Sequence, residues 1–221
     1  MSNDILDTWR KNAHAWSTAI DHQSIPSRKY TNSAILETIK SLGLLKVADL
    51  GCGEGWLTRE MTKNGVHAHG FDAVSEFIEL AAKKGVGTFT VLSYDEIIKN
   101  TFLPHGSYDG VVFNFSIYQK EGLFSLLKTV LNSLTKHGKL IIQTLHPFYL
   151  LKKGFSYESQ WLSDSWKGLP GNFSDGHPWY ARTLEDWTQL IADLPNASFT
   201  IKEVVNDTKE PVSLILIISK K

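Results

Sequence analysis

A glycine-rich turn between an apolar run and a helical pattern constrains this chain more than any other feature. Residues 46–60 read KVADLGCGEGWLTRE, and the turn contains Gly51, Gly53 and Gly55. The apolar run before the turn predicts a strand, and the pattern that begins at Trp56 predicts a helix. Because glycine has no Cβ, the turn can adopt positive φ and lie close against a ligand. The segment therefore predicts a strand, a nucleotide-binding turn and the start of a helix.

The spacing of the glycines narrows the choice of nucleotide. The dinucleotide fingerprint G-x-G-x-x-G requires a third glycine at position 56, and this chain has Trp56 there. A phosphate-binding loop would need a Lys-Ser/Thr pair after the glycines, but Trp56 and Leu57 follow them. The spacing therefore disfavours a cofactor that contains a pyrophosphate.

The segment from Asp49 to Gly55, D-L-G-C-G-E-G, resembles motif I of the class I S-adenosylmethionine-dependent methyltransferases without a gap. In that family this loop wraps the aminoacyl end of the cofactor. The resemblance implies that the following residues of the loop lie against S-adenosyl-L-methionine: Asp49, Gly51, Cys52, Gly53 and Gly55. The alternative is an ordinary glycine-rich turn between a strand and a helix.

An acidic residue at the expected distance supports the nucleotide interpretation. Residues 66–71 predict a second strand, and Asp72 follows its carboxyl end. A carboxylate there can accept hydrogen bonds from both ribose hydroxyls, so Asp72 and the adjacent Ala73 are expected beside the adenosine. The alternative is an exposed Asp72 that caps the helix starting near Ala73.

The residues after the third predicted strand depart from the resembling family. Residues 88–92 predict this strand, and the family commonly has an acid directly after it that reaches the adenine amino group. Ser93 occupies that position here. Ser93 or Asp95 is therefore expected to bond the adenine edge, and Tyr94 is expected to stack on it. The alternative is an ordinary polar turn.

The fourth predicted strand carries a second family motif. Tyr108-Asp109-Gly110 leads into residues 111–115, VVFNF, and this segment resembles motif IV. The resemblance implies that Asn114 and Phe115, at the end of the strand, flank the sulfonium of the cofactor.

The alternation of predicted strands and helices indicates an α/β fold with a parallel sheet and right-handed crossovers. Residues 199–205 and 212–219 predict two final strands whose connection is too short for a parallel pair. With the family resemblance, this predicts a Rossmann-like doubly wound sheet of seven strands, the last antiparallel, with helices on both faces. We expect one domain spanning residues 1–221, with an N-terminal helical extension at residues 1–30 and a substrate-cap insertion at residues 147–182.

The N-terminal extension contains the stripe of an amphipathic helix. Its apolar residues recur at three- and four-residue intervals: Ile5, Trp9, Ala13, Trp16 and Ile20. In the resembling methyltransferases, segments before the first strand form part of the cover over the cofactor, so this helix is expected there. Arg28 lies just ahead of the next helix and is expected to pair with the cofactor carboxylate. The alternative is a solvated surface arginine.

The least regular part of the chain follows the fifth predicted strand, residues 139–145. From Pro147 to Arg182 the chain contains nine aromatic residues interleaved with glycines and prolines. The glycines and prolines argue against a regular element, and the aromatic residues argue against disorder. We predict a cap over the acceptor site. The alternative is an aromatic mini-core that covers the edge of the sheet.

His146, the first residue after strand five, is the principal candidate for a catalytic base. An imidazole can accept a proton from the methyl acceptor near neutral pH, and Pro147 restricts the backbone beside it. Tyr118, after strand four, and Tyr180, in the cap, are the competing candidates. The alternative is that His146 only caps the end of the strand.

Composition and charge disfavour several classes of function. The chain has 23 basic and 23 acidic residues, so no net field attracts polyanions and a nucleic-acid partner is not expected. Its single cysteine, Cys52, permits neither an internal disulfide nor a cysteine-rich zinc site. His67 and His69 project from one face of a strand without a third ligand nearby in sequence, so no metal is expected. The apolar run at residues 214–218 is too short to span a bilayer, so we expect a cytoplasmic protein without a membrane partner.

The sequence thus predicts an S-adenosylmethionine-dependent enzyme that transfers a methyl group to a small-molecule acceptor by in-line displacement. Motif I and Asp72 are specific for the fold and the cofactor, but they do not define the acceptor, and the oligomeric state stays open. Two alternatives remain. One is a non-catalytic module that binds S-adenosylmethionine as a ligand. The other is an NAD-type dehydrogenase on the same scaffold, which Trp56 disfavours.

Overall fold

The structure, a computed structural model, describes residues 3–220. Its helices in that range are α1 (Asn3–Asp21), α2 (Arg28–Ser41), α3 (Trp56–Lys63), α4 (Ser75–Lys83), α5 (Tyr94–Asn100), α6 (Leu123–Ser133), α7 (Phe148–Lys152) and α8 (Leu184–Ala192). Its strands are β1 (Lys46–Leu50), β2 (His67–Asp72), β3 (Thr88–Val91), β4 (Tyr108–Asn114), β5 (Leu134–Leu145), β6 (Gln160–Leu162), β7 (Trp179–Ala181), β8 (Ala197–Val205) and β9 (Pro211–Lys220).

Seven of these strands form one sheet in the order β3-β2-β1-β4-β5-β9-β8. The first five strands in that order are parallel to one another. Strand β9 is antiparallel to both of its neighbours, β5 and β8. The predicted Rossmann-like doubly wound sheet with a reversed last strand is therefore confirmed. Strands β6 and β7 form a separate antiparallel pair.

Each face of the large sheet carries its own apolar core, because successive side chains of a strand point to opposite faces. One core combines Val111 of β4 with Leu126 of α6 and Trp187 of α8. The other core combines the next residue of β4, Val112, with Ile35 of α2. The helices therefore cover both faces of the sheet, as predicted.

The carboxyl ends of β1, β2 and β4 meet at one edge of the sheet. Leu50, the last residue of β1, pairs with Phe71 of β2 and with Phe113 of β4. Asp72 and Asn114, one residue further along their strands, therefore flank the glycine turn that follows β1. The strand order reverses between β1 and β4, and open α/β sheets bind ligands at such a point.

Helix α1 confirms the predicted amphipathic stripe for residues 3–21. Its Ala13 packs in one apolar cluster with Val74 and Phe77, and Trp9 and Trp16 pack against that cluster. The first two residues of the predicted extension lie outside the described part of the chain. Within residues 3–220, no helix combines the length and the apolar character that crossing a bilayer requires.

The structure differs from the sequence prediction in three segments. Residues 94–100 form α5 rather than a polar turn, because Ser93 and Glu96 make a reciprocal capping box that starts a helix. Strand β5 begins at Leu134 instead of residue 139, with a register shift in its pairing with β4. The cap contains α7 and the β6–β7 pair, whereas its glycines and prolines predict no regular element. Those elements are short enough to fit between the glycines and prolines.

Candidate active site

The glycine turn after β1 is held against the end of β2. The amides of Gly51 and Cys52 both donate to the carbonyl of Phe71, at 2.7 and 3.0 Å. Gly51 has φ +74°, and a Cβ there would lie 2.4 Å from the Cβ of Ser116. This position requires glycine, because both the left-handed backbone and the neighbouring wall exclude a side chain. The thiol of Cys52 is buried beside the turn, and this burial raises its pKa.

Two buried acids support the glycine turn. Asp49 is 1% exposed and accepts a hydrogen bond from Thr58 Oγ1 at 2.8 Å. Burial raises the pKa of Asp49 to about 7. Glu54 is also 1% exposed and pairs with Arg59 at 2.6 Å and with Lys84 at 3.2 Å. These contacts tie the turn to α3 and to the end of α4.

Asp72 joins the end of β2 to the glycine turn. Its Oδ2 accepts from the Gly53 amide and its Oδ1 accepts from the Val74 amide, both at 2.9 Å. Burial raises the pKa of this carboxyl to about 6, and the backbone hydrogen bonds oppose that rise. The bond to Val74 stabilises the turn ahead of α4, as the capping alternative expects. Asp72 is only partly exposed, however, and it lines a cleft together with Ala73.

Arg28, the first residue of α2, reaches the same region. Its guanidinium lies 4.7 Å from the centre of the Trp56 ring. Its buried Nη2 has no hydrogen-bond partner among the described residues. Burial lowers the pKa of Arg28 to about 10, and the charge of Glu54 opposes this decrease. Arg28 is therefore an enclosed cation with an unused donor, in contrast to the alternative of a solvated surface arginine.

The residues after β3 contribute to the wall of the cleft and are already bonded to the protein. Ser93 Oγ accepts from the Glu96 amide at 3.2 Å and donates to Glu96 Oε2 at 2.7 Å. The Tyr94 hydroxyl lies 3.2 Å from the carbonyl oxygen of Leu50 and 3.1 Å from that of Ser116. Tyr94 therefore ties β1 to the segment after β4. Its stacking on an adenine and a contact from Ser93 to the adenine edge stay predictions.

Strand β4 ends in a turn with an uncommon backbone conformation. Phe115 has φ +53°, which non-glycine residues seldom adopt. Its amide donates to the carbonyl of Gln143 at 2.8 Å, and its carbonyl accepts from the Tyr118 hydroxyl at 2.6 Å. The buried Oδ1 of Asn114 has no hydrogen-bond partner among residues 3–220. An unpaired buried acceptor beside such a turn is typical of a ligand site.

Two clefts meet at this turn. The first cleft has a volume of about 90 Å³ and contains the glycine turn and Asp72. The second cleft has a volume of about 420 Å³ and extends under the cap. Ligand pockets for drug-sized molecules commonly have volumes of about 300–1,000 Å³, so the first cleft is narrow and the second lies within this range. Both clefts are lined by Trp9, Trp16, Arg28, Phe115 and Tyr118.

The first cleft brings together nearly all of the predicted cofactor-binding residues. Its lining includes Arg28, Asp49, Gly51, Cys52, Gly53, Asp72, Ala73, Ser93, Tyr94, Asn114 and Phe115. Gly55 is the exception. It precedes α3 with φ +82°, and a Cβ there would lie 2.6 Å from Cε1 of Phe89. Gly55 therefore packs against β3, and the prediction that it contacts the cofactor does not match its position.

His146 lies at the second cleft, but both of its ring nitrogens already have partners. Its Nδ1 accepts from the Phe148 amide at 3.0 Å. Its Nε2 lies 2.9 Å from Glu203 Oε1. Because Nδ1 accepts, Nε2 carries the proton and donates to the carboxylate. This arrangement favours the alternative that His146 caps the end of β5.

The two tyrosine candidates lie on opposite sides of a backbone hydrogen bond between β7 and the segment after β4. The amide of Tyr180 donates to the carbonyl of Tyr118 at 2.9 Å. Tyr118 lines both clefts, and burial raises the pKa of its hydroxyl. The ring of Tyr180 faces the guanidinium of Arg182 at 4.8 Å and lines the second cleft. Both tyrosines are therefore at the second cleft, and Tyr118 is also at the junction.

The cap and α1 share an aromatic cluster above the junction. The ring of Trp166 lies 4.6 Å from the ring of Trp9 and 4.7 Å from the ring of Phe173. The ring of His177 lies 5.0 Å from that of Tyr118. Trp166 both packs in this cluster and lines the second cleft. The packing fits the aromatic mini-core, and the role of the segment as a cap over the acceptor site stays a prediction.

Sequence reasoning missed several residues that shape the clefts. Thr58 and Ser116 support the glycine turn, and neither carries a sequence signal of its own. Arg182 is 6% exposed and donates to the carbonyls of Gln119 and Lys120, at 3.0 and 3.3 Å. Arg182 lies one residue after β7, and no local sequence pattern indicates its contacts.

Comparison with known proteins assigns the chain to a family. The sequence model of a family described as a methyltransferase domain matches residues 8–193. The chain therefore belongs to this methyltransferase domain family, which confirms the resemblance seen in residues 49–55. No curated protein gives a significant sequence match.

Solved structures share the fold over most of the chain. An S-adenosylmethionine-dependent methyltransferase from Mesorhizobium loti has a TM-score of 0.63 and 18% identity, and the match covers 83% of this chain and 96% of that one. The DhpI–SAM–HEP complex has a TM-score of 0.68 and 16% identity, with 99% of both chains covered. The plantazolicin methyltransferase BpumL, in complex with a pentazolic desmethylPZN analog and SAH, has a TM-score of 0.64 and 16% identity, with coverages of 98% and 97%. At these identities the similarity concerns the fold.

Proposed function

We propose that this chain is an S-adenosylmethionine-dependent methyltransferase that transfers the cofactor methyl group to a small-molecule acceptor. The observation that carries the proposal is the junction of the two clefts at Arg28, Phe115 and Tyr118. The first cleft holds the glycine turn and Asp72, and the second has a volume suited to a small molecule, about 420 Å³. A ligand in each cleft would meet the other at this junction.

The polar groups of the first cleft fit the functional groups of S-adenosylmethionine. The unpaired Nη2 donor of Arg28 suits a carboxylate, and the unpaired Oδ1 acceptor of Asn114 suits an ammonium group. The carboxylate of Asp72 suits the two ribose hydroxyls. At Gly53 a Cβ would have one neighbour within 4 Å, Trp16 Nε1 at 3.8 Å, so the turn leaves room beside the ligand.

The chain's own residues orient the reactants and exclude water. The cofactor, when bound, supplies a methyl group activated by a sulfonium. Transfer to a lone pair of the acceptor would leave the electron pair of the broken carbon–sulfur bond on sulfur. Phe115, Tyr118 and Trp9 form an aromatic wall at the junction. Such a wall holds the acceptor in line with the breaking bond, and this alignment supplies much of the acceleration.

The position of Trp56 weighs against the NAD-type dehydrogenase. A pyrophosphate would need to approach the start of α3, and glycine is required there for that approach. Trp56 begins α3, and its ring packs beneath the Arg28 guanidinium at 4.7 Å. An indole side chain at this position would hinder the close approach of a pyrophosphate to the start of α3.

Calorimetry with S-adenosylmethionine and NAD tests the cofactor assignment. We expect micromolar binding of S-adenosylmethionine, weakened by about 1–3 kcal/mol in Asp72→Ala because the ribose hydroxyls lose a charged acceptor. Asp193→Ala, which removes an exposed acid after α8, is the matched control and should leave binding unchanged. Binding of NAD without binding of S-adenosylmethionine would refute the assignment.

Incubation with methyl-labelled cofactor and a metabolite extract then separates an enzyme from a non-catalytic binding module, because the module would label no product.

A further inference from the structure

Two residues that line the second cleft carry unpaired hydrogen-bond donors. Each has a buried N–H group without an acceptor among the described residues, Nε1 of Trp166 and Nη1 of Arg182. The unpaired Nη2 of Arg28 is assigned to the cofactor carboxylate. A buried donor without a partner costs free energy, so native structures rarely retain one without a reason. A ligand that supplies acceptor atoms would satisfy these groups.

Arg182 is the more enclosed of these two donors. Its side chain is 4% exposed, and its guanidinium lies between the rings of Tyr180 and Trp187, at 4.8 and 5.0 Å. Its Nη2 is used by two backbone carbonyls. The nearest acid, Asp186, lies 3.6 Å from Nε, beyond an ordinary hydrogen bond. Burial lowers the pKa of Arg182, and Asp186 opposes this decrease. The positive charge of Arg182 is thus only partly compensated.

The charged residues around the second cleft add to this donor excess. Five basic residues line it, and they outnumber its single acid, Glu210: Arg28, Lys152, Lys153, Lys167 and Arg182. Glu210 is already paired with Lys152. The chain as a whole has equal numbers of basic and acidic residues, so the positive lining is a local property of this cleft. Such a lining attracts anions.

Much of the remaining lining of the second cleft is apolar. Its lining includes the rings of Phe148, Tyr149, Trp179 and Trp187. Aromatic side chains offer large apolar faces that pack well against planar ligands. A ligand that matches this cleft therefore has an apolar, planar body and one anionic group.

We propose that the methyl acceptor is a small planar molecule that carries a carboxylate or a related oxyanion, and that Arg182 binds this group. This proposal rests on the proposed function, because it assigns the second cleft to the acceptor. A guanidinium suits such a group, since its planar N–H donors match the two oxygens of a carboxylate. Lys153 and Lys167 add positive charge at the same cleft.

Binding of 2-naphthoate and its neutral analogue 2-naphthamide to the protein saturated with S-adenosylhomocysteine tests the proposal. The two probes share the planar body and differ in charge. In the wild type, we expect 2-naphthoate to bind about 10-fold more tightly than the amide, as a charge-assisted hydrogen bond allows. Arg182→Gln should reduce this preference to about 2-fold or less, with S-adenosylhomocysteine affinity unchanged.

A second variant covers the case in which Arg182→Gln fails to fold. The double variant Lys153→Gln/Lys167→Gln changes two residues at the rim and should weaken 2-naphthoate by about 3-fold at low salt without affecting the amide. Lys40→Gln, at the end of α2, is the matched control and should change neither probe. Equal binding of the two probes by the wild type overturns the proposal, as does a preference that both variants retain. Failure of S-adenosylhomocysteine to bind would instead refute the proposed function.

Discussion

Asn12 of α1 and Ser174 of the cap exchange two hydrogen bonds. The side-chain amide of Asn12 donates to the Ser174 carbonyl at 2.8 Å, and Asn12 Oδ1 accepts from the Ser174 amide at 2.9 Å. Asn12 is 2% exposed, whereas Ser174 lies at the surface, so the pair is half-buried. The rings of Trp9 and Trp166 pack the same two segments together beside it. Helix α1 and the cap are therefore one cover, and we expect them to move together when a ligand enters the narrow first cleft.

Removing the Asn12 side chain should separate the two halves of this cover. In Asn12→Ala the backbone of Ser174 loses both partners, so the free energy of unfolding should decrease by about 1–3 kcal/mol. Hydrogen exchange at the Ser174 amide should be faster, because local opening no longer breaks the two hydrogen bonds to Asn12. Lys11→Ala removes the neighbouring exposed pair with Asp175 and should change the free energy of unfolding much less, because water screens exposed ion pairs. Equal effects of the two substitutions would show that Asn12 does not join the segments.

A methyl group at Gly51 should disrupt the glycine turn. In Gly51→Ala the new side chain would sit on an unfavourable left-handed backbone, and its Cβ would lie 2.7 Å from the Tyr94 hydroxyl as well as 2.4 Å from Ser116 Cβ. Gly43→Ala is the matched control, since Gly43 has φ +63° and open space around its Cβ position. The left-handed backbone should lower the free energy of unfolding by about 1–2 kcal/mol in both variants. Overpacking against the neighbouring side chains should lower it by a further ~1–3 kcal/mol in Gly51→Ala alone.

Urea denaturation and calorimetry separate these two effects. Gly51→Ala should be less stable than Gly43→Ala by the effect of overpacking, and it should also lose S-adenosylmethionine binding. Gly43→Ala should retain the affinity of the wild type, because Gly43 lies before β1 and does not line either cleft. Similar stability losses in both variants would mean that the wall around Gly51 yields to a methyl group.

Ionisation of Asp49 should make the protein less stable as the pH rises. Burial raises the pKa of this carboxyl from 3.8 to about 7, so the folded state favours the protonated form. The corresponding stability is fully present below pH 3.8 and is lost as the pH rises to about 7. Asp49→Asn removes this ionisation and keeps an oxygen that can accept from Thr58 Oγ1, which is now 2.8 Å from Asp49 Oδ2.

Urea denaturation of both proteins at several pH values checks this prediction. The unfolding free energy of the wild type relative to Asp49→Asn should fall by about 1.4 kcal/mol per pH unit within that interval and level off above it. Taking the difference between the two proteins cancels the titration of the other acids. A difference that stays constant from pH 5 to pH 8 would contradict a raised pKa at Asp49.

Most of the first cleft was predictable because its residues follow one another at the ends of consecutive strands. Asp49, Asp72 and Asn114 each sit at the carboxyl end of a strand that the hydrophobic pattern identifies. A parallel sheet brings such ends to one edge whatever the details of packing. The local pattern and the topology together were therefore sufficient to place them in one cleft.

The residues that the sequence did not place depend on contacts between distant segments. Arg182 reaches the carbonyl of Gln119, 63 positions away, and no local pattern encodes that approach. Gly55 matches motif I by position, but it packs against the side chain of Phe89 and does not line the first cleft. Helix α5 is a different case. Ser93 and Glu96 have the spacing of a capping box, which indicates the start of a helix, but the polar residues around them also fit a turn.

Replacing His146 should affect stability rather than turnover. His146→Ala removes the acceptor for the Phe148 amide at the start of α7 and the contact with Glu203, which should lower the free energy of unfolding by about 1–3 kcal/mol. Because both ring nitrogens bind protein groups, turnover per folded molecule should stay within about 3-fold of the wild type once an acceptor is known. A general base would instead contribute about 10²–10⁴-fold to turnover.

Glu203→Gln is the control, because it leaves the hydrogen bond from the Phe148 amide to His146 in place. This variant should have nearly the stability and the turnover of the wild type. A loss of turnover of about 100-fold or more in His146→Ala, with S-adenosylmethionine affinity unchanged, would assign the base to His146, and the bonds to Phe148 and Glu203 would then have to open during catalysis.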